Sequence, residues 1–271
     1  PDDFRVIAVI SSYNEEDIII PVINQLIQDG IEVYLIDNWS NDETYHRAKS
    51  LLGKGLIGIE KFPNNGFSPT YDHNEILKRK EILCQELGAD WYIHHDADEY
   101  RESPWEGICL RDAIYRVDQE GYNSINFTVL NFFPVNNNYP PGTSFIDFFK
   151  YFEFGKHAAY SIQTQAWKKT SDRVNLHESG GHDVDFPLRK IFPYNFLLRH
   201  YPIRSQSHGE RKVFRERKQR YNPIEKKNGW HNHYDIYDVG SNFIKSSKDL
   251  IEFRSSFYTE YLTERLSGLG I

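Results

Sequence analysis

Asp96 and Asp98 stand two residues apart at the end of an apolar, aromatic run, Asp90-Trp91-Tyr92-Ile93-His94-His95. Carboxylates that close repel each other unless positive charge lies between them. A hard divalent cation with oxygen ligands, Mn²⁺ or Mg²⁺, is the usual answer, and it keeps positions open for water and phosphate. If the strand continues, both acids share one face; if it breaks into a turn, they can converge on one point. Alternation sends His94 and His95 to opposite faces. Two more polar clusters follow apolar runs: Ser12-Tyr13-Asn14-Glu15 and Asp37-Asn38 with Ser40 and Asp42. A fourth group of chemistry-bearing residues lies far downstream, in His177-Glu178-Ser179-Gly180-Gly181-His182-Asp183. Its glycine pair permits a tight backbone beside a ligand. Between Arg204 and Tyr221 the chain carries seven Lys or Arg. On an α-helix His208, Arg211, Arg215 and Lys218 share a face, and such a face repels itself unless it meets anions.

The elements that must position these residues alternate between strand and helix. Arg5 to Ile10 is a nearly continuous apolar run, as expected of a parallel strand covered on both faces. A helix to Asp29 stops at Gly30, and a second strand spans Ile31 to Ile36. A helix from Asp42 to Leu52, a strand from Leu56 to Phe62 and a helix from Tyr71 to Leu87 then lead into the Trp91 strand. This order implies right-handed crossovers and a mostly parallel sheet. In such sheets ligands sit beyond the carboxyl ends of the strands, where the first three clusters fall. Farther on, Ser103-Pro104-Trp105-Glu106 has the form of a helix start, predicting a helix to Glu120. Asn123 to Leu130 and Gln163 to Trp167 read as strands, and Asn131 to Ser144 as a loop long enough for a substrate lid. From Val239 on, Phe243, Ile244, Leu250, Ile251, Phe253, Phe257, Tyr258, Tyr261 and Leu262 recur at helical spacing. They predict a C-terminal amphipathic helix that docks on the domain, with an oligomer contact or a membrane-surface contact as its second role.

Length and charge narrow the field. The 271 residues suit one large α/β domain with an appendage. A net charge of −7 argues against nucleic acid as the main partner. Cys84 and Cys109 give no disulfide framework and read as free thiols of a reducing compartment. There is no run of transmembrane length and no signal-peptide pattern at the start of the sequence. The expected location is therefore cytoplasmic, including the inner face of the membrane.

The series "VISSYNEED", "VYLIDNWSND", "PNNG…DHNEILKRKE" and "DWYIHHDADEY" resembles the nucleotide-sugar-binding half of family 2 glycosyltransferases with the GT-A fold. "SGGHDV", "LRHYPIRSQSHGERKV" and "GWHNHYD" resemble a bacterial branch of that group. The resemblance implies a GT-A type α/β domain over residues 1–205, with a nucleotide-binding half (1–100) and an acceptor half (101–205). A helical extension would follow over 206–271. It implies transfer of a sugar from a nucleotide diphosphate sugar, a UDP-sugar first, to a hydroxyl of a glycan or glycoconjugate, with inversion. By position, Ser12, Tyr13, Asn14 and Glu15 would border the nucleotide, and Asp37 and Asn38 its base or ribose. Asp96 and Asp98 would hold Mn²⁺ or Mg²⁺ against the diphosphate, with His182 or His200 completing the metal site. His73, Arg79, Arg204 and Lys212 would add anion-binding capacity, alongside Lys78 and Lys80. Asp183 and Glu178, with Glu153 behind them, are the candidate bases for the acceptor hydroxyl. The absence of Gly-x-Gly-x-x-Gly after the first strand counts against a dinucleotide-binding domain. The alternatives are a nucleotidyltransferase, a metal-dependent phosphoester hydrolase using His94, His95 and Asp96, and a non-catalytic carbohydrate-binding module. The first of these usually needs a glycine-rich phosphate loop, and Ser11 to Glu16 contains no glycine.

Overall fold

β-Branched runs become the centre of the sheet. In the computed structural model, which describes residues 3–139, 143–155, 161–254 and 257, β1 (Val6–Ser12), β2 (Glu32–Asp37), β3 (Leu56–Lys61) and β4 (Trp91–Asp96) lie in the order β3-β2-β1-β4. All three of these pairings are parallel. β1 is buried on both faces, and its side chains alternate between two cores. Val6, Ala8 and Ile10 join the larger one beneath helices α1 (Ile19–Gln28) and α4 (Leu110–Gln119). Ile7 and Val9 join the smaller one with Leu77 and Leu83 of α3 (His73–Glu86). Burying both faces is what drives a run without polar alternation into the middle of a parallel sheet. The short helix α2 (Thr44–Lys49) links β2 to β3.

Beyond β4 the sheet turns mixed. β8 (Ile162–Lys168) pairs antiparallel with β4 and with β6 (Ser124–Phe132). β7 (Tyr151–Phe154) lies antiparallel to β6, and the short helix α5 (Phe145–Phe148) precedes it. β5 (Glu99–Glu102) and β9 (Phe196–His200) pair antiparallel, and β9 lies parallel to β6. The α/β architecture with a parallel half flanked by helices is therefore as the sequence predicts.

Three expectations about individual elements are corrected. The helix expected from Ser103 begins at Leu110, because its apolar stripe is Leu110, Ala113, Ile114 and Val117 and Gly107 stands at φ +74. Ser103 Oγ accepts from Trp105 N and closes a local turn instead. The loop after Leu130 starts later than expected, since β6 continues through Asn131 and Phe132; residues 140–142 of the expected lid lie outside the described residues. The amphipathic helix expected from Val239 is absent over 239–254. There a 3-10 turn, Ser247–Asp249, leads to β10 (Ile251–Glu252), which adds an antiparallel edge to β7. Phe253 packs on Phe132 and beneath the Arg199 guanidinium, 4.0 Å from the ring centroid. Tyr258, Tyr261 and Leu262 lie outside the described residues. Among the described residues, helical segments after β9 include Gln206–Glu210, a π-helix at Arg211–Arg217, a short helix at Pro223–Lys227 and 3-10 turns at Asn232–Tyr234 and Ser247–Asp249.

Candidate active site

The carboxyl ends of β1 and β4 open into a cavity of about 1090 Å³, which is walled on the far side by the returning segment 200–245. At Asp96 the chain leaves β4, turns through Ala97-Asp98 and enters β5. The strand thus breaks, and the two acids meet different cations. Asp96 Oδ1 accepts from Ser11 Oγ at 3.0 Å and lies 3.7 Å from Lys80 Nζ, while its carboxylate is 40% exposed to the cavity. Lys80 is wholly buried on α3, bonded to His95 O at 2.8 Å and facing His94 Nδ1 at 3.0 Å. Burial pulls its ammonium down to about 8, with Asp96 working against the shift. Burial alone would raise the Asp96 carboxyl, but Lys80, His94, His73 and the Ser11 hydrogen bond together outweigh it and hold the group well below the usual carboxylate range.

Asp98 is nearly buried, and its Oδ2 accepts from Lys212 Nζ at 2.7 Å. The same ammonium bonds Glu15 Oε1 at 2.9 Å. His200 Nε2 lies 3.8 Å from Asp98 Oδ2, and its Nδ1 is anchored on Asn131 Oδ1 at 2.8 Å. An oxygen and an imidazole nitrogen at that spacing can share one cation, since bond lengths of about 2.1 Å allow ligands up to about 4.2 Å apart. His182 reaches the same cavity with Nδ1 held by Gln163 at 2.8 Å, and burial lowers its pKa. Among the described residues, the His and carboxylate atoms already gathered within 4.8 Å of one another belong to Glu15, Asp17 and His208. Arg204 occupies that cluster, bonding both acids through its guanidinium and His208 Nδ1 through its backbone N–H.

Of the other expected site residues, Ser12, Tyr13, Asn38 and His73 line the cavity. Burial pushes His73 down to about 4, so the imidazole is neutral at pH 7. It is held between the Tyr71 hydroxyl and Gly180 O. Asn14 and Asp37 support the wall from behind. Asn14, at φ +54, bridges Asn41 N and Glu216. Asp37 is fully buried, raised by burial, and takes Ser12, Ser40 N and Ser40 Oγ. Asn38 also lines a second cavity of about 430 Å³ with Phe62, Pro63 and the stretch from Asn65 to Thr70.

Several expectations do not meet the cavity. Arg79 points away and clamps Glu60 with two bonds of 2.8 and 2.9 Å. Lys78 pairs with Glu75 on the outer face of α3. Arg204 is buried in its acid cluster. Asp183 pairs with Arg189 at 2.6 Å, and exposed Glu178 bonds Asn175. Glu153, by contrast, lies on the cavity wall beside Lys245 Nζ at 2.9 Å. The glycine pair takes φ +68 and +89, and a Cβ on Gly181 would stand 2.9 Å from His94 Nε2. The pair thus brings the backbone against the His94 imidazole on the cavity wall.

The basic face is also corrected. Residues 211–217 form a π-helix, which turns the spacing from 3.6 to about 4.4 residues. Lys212 and Arg217, five apart, line the cavity together, while Arg215 is exposed and Lys218 bonds Tyr237 O. Arg217 lies 4.9 Å from the Tyr71 ring centroid and has no carboxylate within ion-pair distance among the described residues. Sequence reasoning missed Arg217 and Asn131 as site groups, because local sequence gives no signal for a π-helix or for the register that sets Asn131 beside His200. Nor does it show that Lys80 is buried, which depends on the packing of α3 against β4.

No family model and no curated protein matches the chain. Among solved structures it is similar to S. aureus TarS 1–349 in complex with UDP, at 13% identity and a TM-score of 0.43, over 74% of this chain and 61% of that one. TarS 1–349 in complex with UDP-GlcNAc matches at 14% identity and 0.41, over 73% and 58%. The longer TarS structure matches at 13% and 0.41, over 73% of this chain and 37% of that chain. The chain thus spans less than two thirds of the length of these neighbours.

Proposed function

We propose that the chain is a glycosyltransferase that uses a nucleotide diphosphate sugar, and that Asp98 and His200 hold the divalent cation. The observation that carries this reading is the meeting of Asp96 and Asp98 with Lys212 and Arg217 in one cavity at the carboxyl edge of the parallel strands. Carboxylates alone would suit a cation, and cations alone an anion; both together suit a metal-bound diphosphate. When bound, Mn²⁺ or Mg²⁺ would neutralise charge that develops on the leaving diphosphate.

The remaining roles fall to the chain's own groups. Arg217, without a carboxylate partner, meets the departing phosphate oxygens, and such a contact strengthens as the glycosidic bond breaks. Glu153, on the cavity wall where Asp183 and Glu178 are not, takes the proton of the acceptor hydroxyl as its oxygen attacks the anomeric carbon. One bond forms as the bond to the diphosphate breaks, which inverts the configuration. Tyr13 and Asn38 border the nucleoside, and the 430 Å³ cavity beside Asn38 receives its base.

Melting curves with UDP, GDP, CDP and dTDP, with and without Mn²⁺, test the reading on wild type and Asp98→Ala. A ligand at a hundredfold excess over Kd stabilises the folded state by about 2.7 kcal/mol. The expected result is a Mn²⁺-dependent rise in Tm with one nucleotide, absent in the variant. No rise with any of the four would overturn the proposal.

A further inference from the structure

Lys212 occupies the place where a cation bound to Asp98 would act. Its Nζ bridges Asp98 Oδ2 and Glu15 Oε1, and His200 Nε2 approaches the same Asp98 oxygen. An ammonium and a divalent ion cannot both stay on that oxygen, because their like charges repel at contact distance. The two carboxylates differ in what they have left without Lys212. Glu15 keeps the guanidinium of Arg204 and remains compensated. Asp98 has no second Lys or Arg partner among the described residues, and His200 is its remaining neighbour of basic character. Lys212 also lines the cavity beside Arg217, with its side chain only 3% exposed.

Resting on the metal and diphosphate reading above, we propose that Lys212 is an exchangeable counter-ion: it holds Asp98 in the metal-free protein and is handed to the diphosphate when a divalent cation takes Asp98. The exchange leaves no bare charge at any stage. Glu15 retains Arg204, Asp98 gains the metal, and the ammonium gains phosphate oxygens. It also gives Lys212 two opposite effects, opposing the metal alone and favouring the nucleotide.

Those opposite signs make the test. Free Mn²⁺ is counted by electron paramagnetic resonance during titration of wild type, Lys212→Met, Lys212→Gln and Lys212→Arg without nucleotide. UDP binding is then measured by calorimetry in saturating Mn²⁺. Cooperative melting of each variant establishes that it is folded, and the glutamine variant, which still donates to Glu15, covers a failure of the methionine one. Both neutral variants are expected to bind Mn²⁺ about tenfold more tightly than wild type, a difference of about 1.4 kcal/mol, and UDP more weakly. The arginine variant should behave as wild type does, and adding Asp98→Asn to Lys212→Met should abolish the gain. Unchanged or weaker Mn²⁺ binding in the folded neutral variants, or a gain that survives Asp98→Asn, overturns the exchange. Mn²⁺ binding with no binding of UDP, GDP, CDP or dTDP would instead overturn the functional reading and leave the metal comparison to decide the role of Lys212.

Discussion

The two walls of the cavity are built by different means. The strand-end wall takes its residues from the ends of β1, β2 and β4, where each polar cluster directly follows the apolar run that places it. The return wall takes Lys212, Arg217 and Tyr221 from a π-helix and the turn after it, bound back to the first wall by ion pairs and hydrogen bonds across roughly two hundred residues of sequence. One wall carries the acids, the other the cations. Across the gap Lys212 meets Glu15 and Asp98, whereas Asp96 is matched by Lys80 on its own side.

Three comparisons sharpen that contrast. The largest effect is expected at Glu153, which reaches the cavity from β7 and pairs with Lys245 of the returning segment. Glu153→Gln should lower kcat by about a thousandfold with KM little changed, in line with loss of a general base. Asp183→Asn and Glu178→Gln, away from the cavity, should stay within about twofold of wild type in the same steady-state assay. A collapse in Asp183→Asn with normal Glu153→Gln would reverse the assignment. Next comes the return wall. Arg217→Ala should weaken nucleoside diphosphate binding by ten- to a hundredfold, about 1.4–2.8 kcal/mol for a charge-assisted bond. Arg215→Ala, exposed on the same helix, should leave calorimetric affinity unchanged.

The smallest effect concerns the acid limb of stability. His73 is lowered to about 4 by burial, and burial also lowers His94, His95 and His208 well below their ordinary value. The unfolded chain takes up these protons near pH 6.5, while the folded chain resists them. The unfolded state therefore binds more protons as pH falls, and stability declines from pH 6.5 towards 4. Each such group contributes up to about 1.4 kcal/mol per pH unit. Urea melts of wild type and His73→Gln across that range should show a shallower decline in the variant. Identical slopes would mean that His73 is charged in the folded protein.

Much of the strand-end wall is legible in the sequence. β-Branched runs, glycine stops and polar clusters at strand ends are local signals, and the parallel pairing of β1, β2, β3 and β4 follows from their alternation with helices. The return wall is not. An α-helical period puts His208, Arg211, Arg215 and Lys218 on one face, whereas a π-helix presents Lys212 and Arg217. Aromatic spacing after Val239 predicts a helix where the residues cover a sheet edge as β10. Arg79 and Lys80, neighbours in sequence, have opposite fates because one α3 face meets Glu60 and the other packs behind Asp96.

Local pattern thus decided which residues could carry the chemistry on the acidic side, since strand-end position depends on the few residues around each cluster. Which cation each acid meets was decided by the tertiary structure. Asp96 and Asp98 are two residues apart, yet one rests against Lys80 from α3 and the other against Lys212 from a distant helix. Coulombic pairing at contact distance depends on where separate elements come to rest, and no spacing along the chain encodes that.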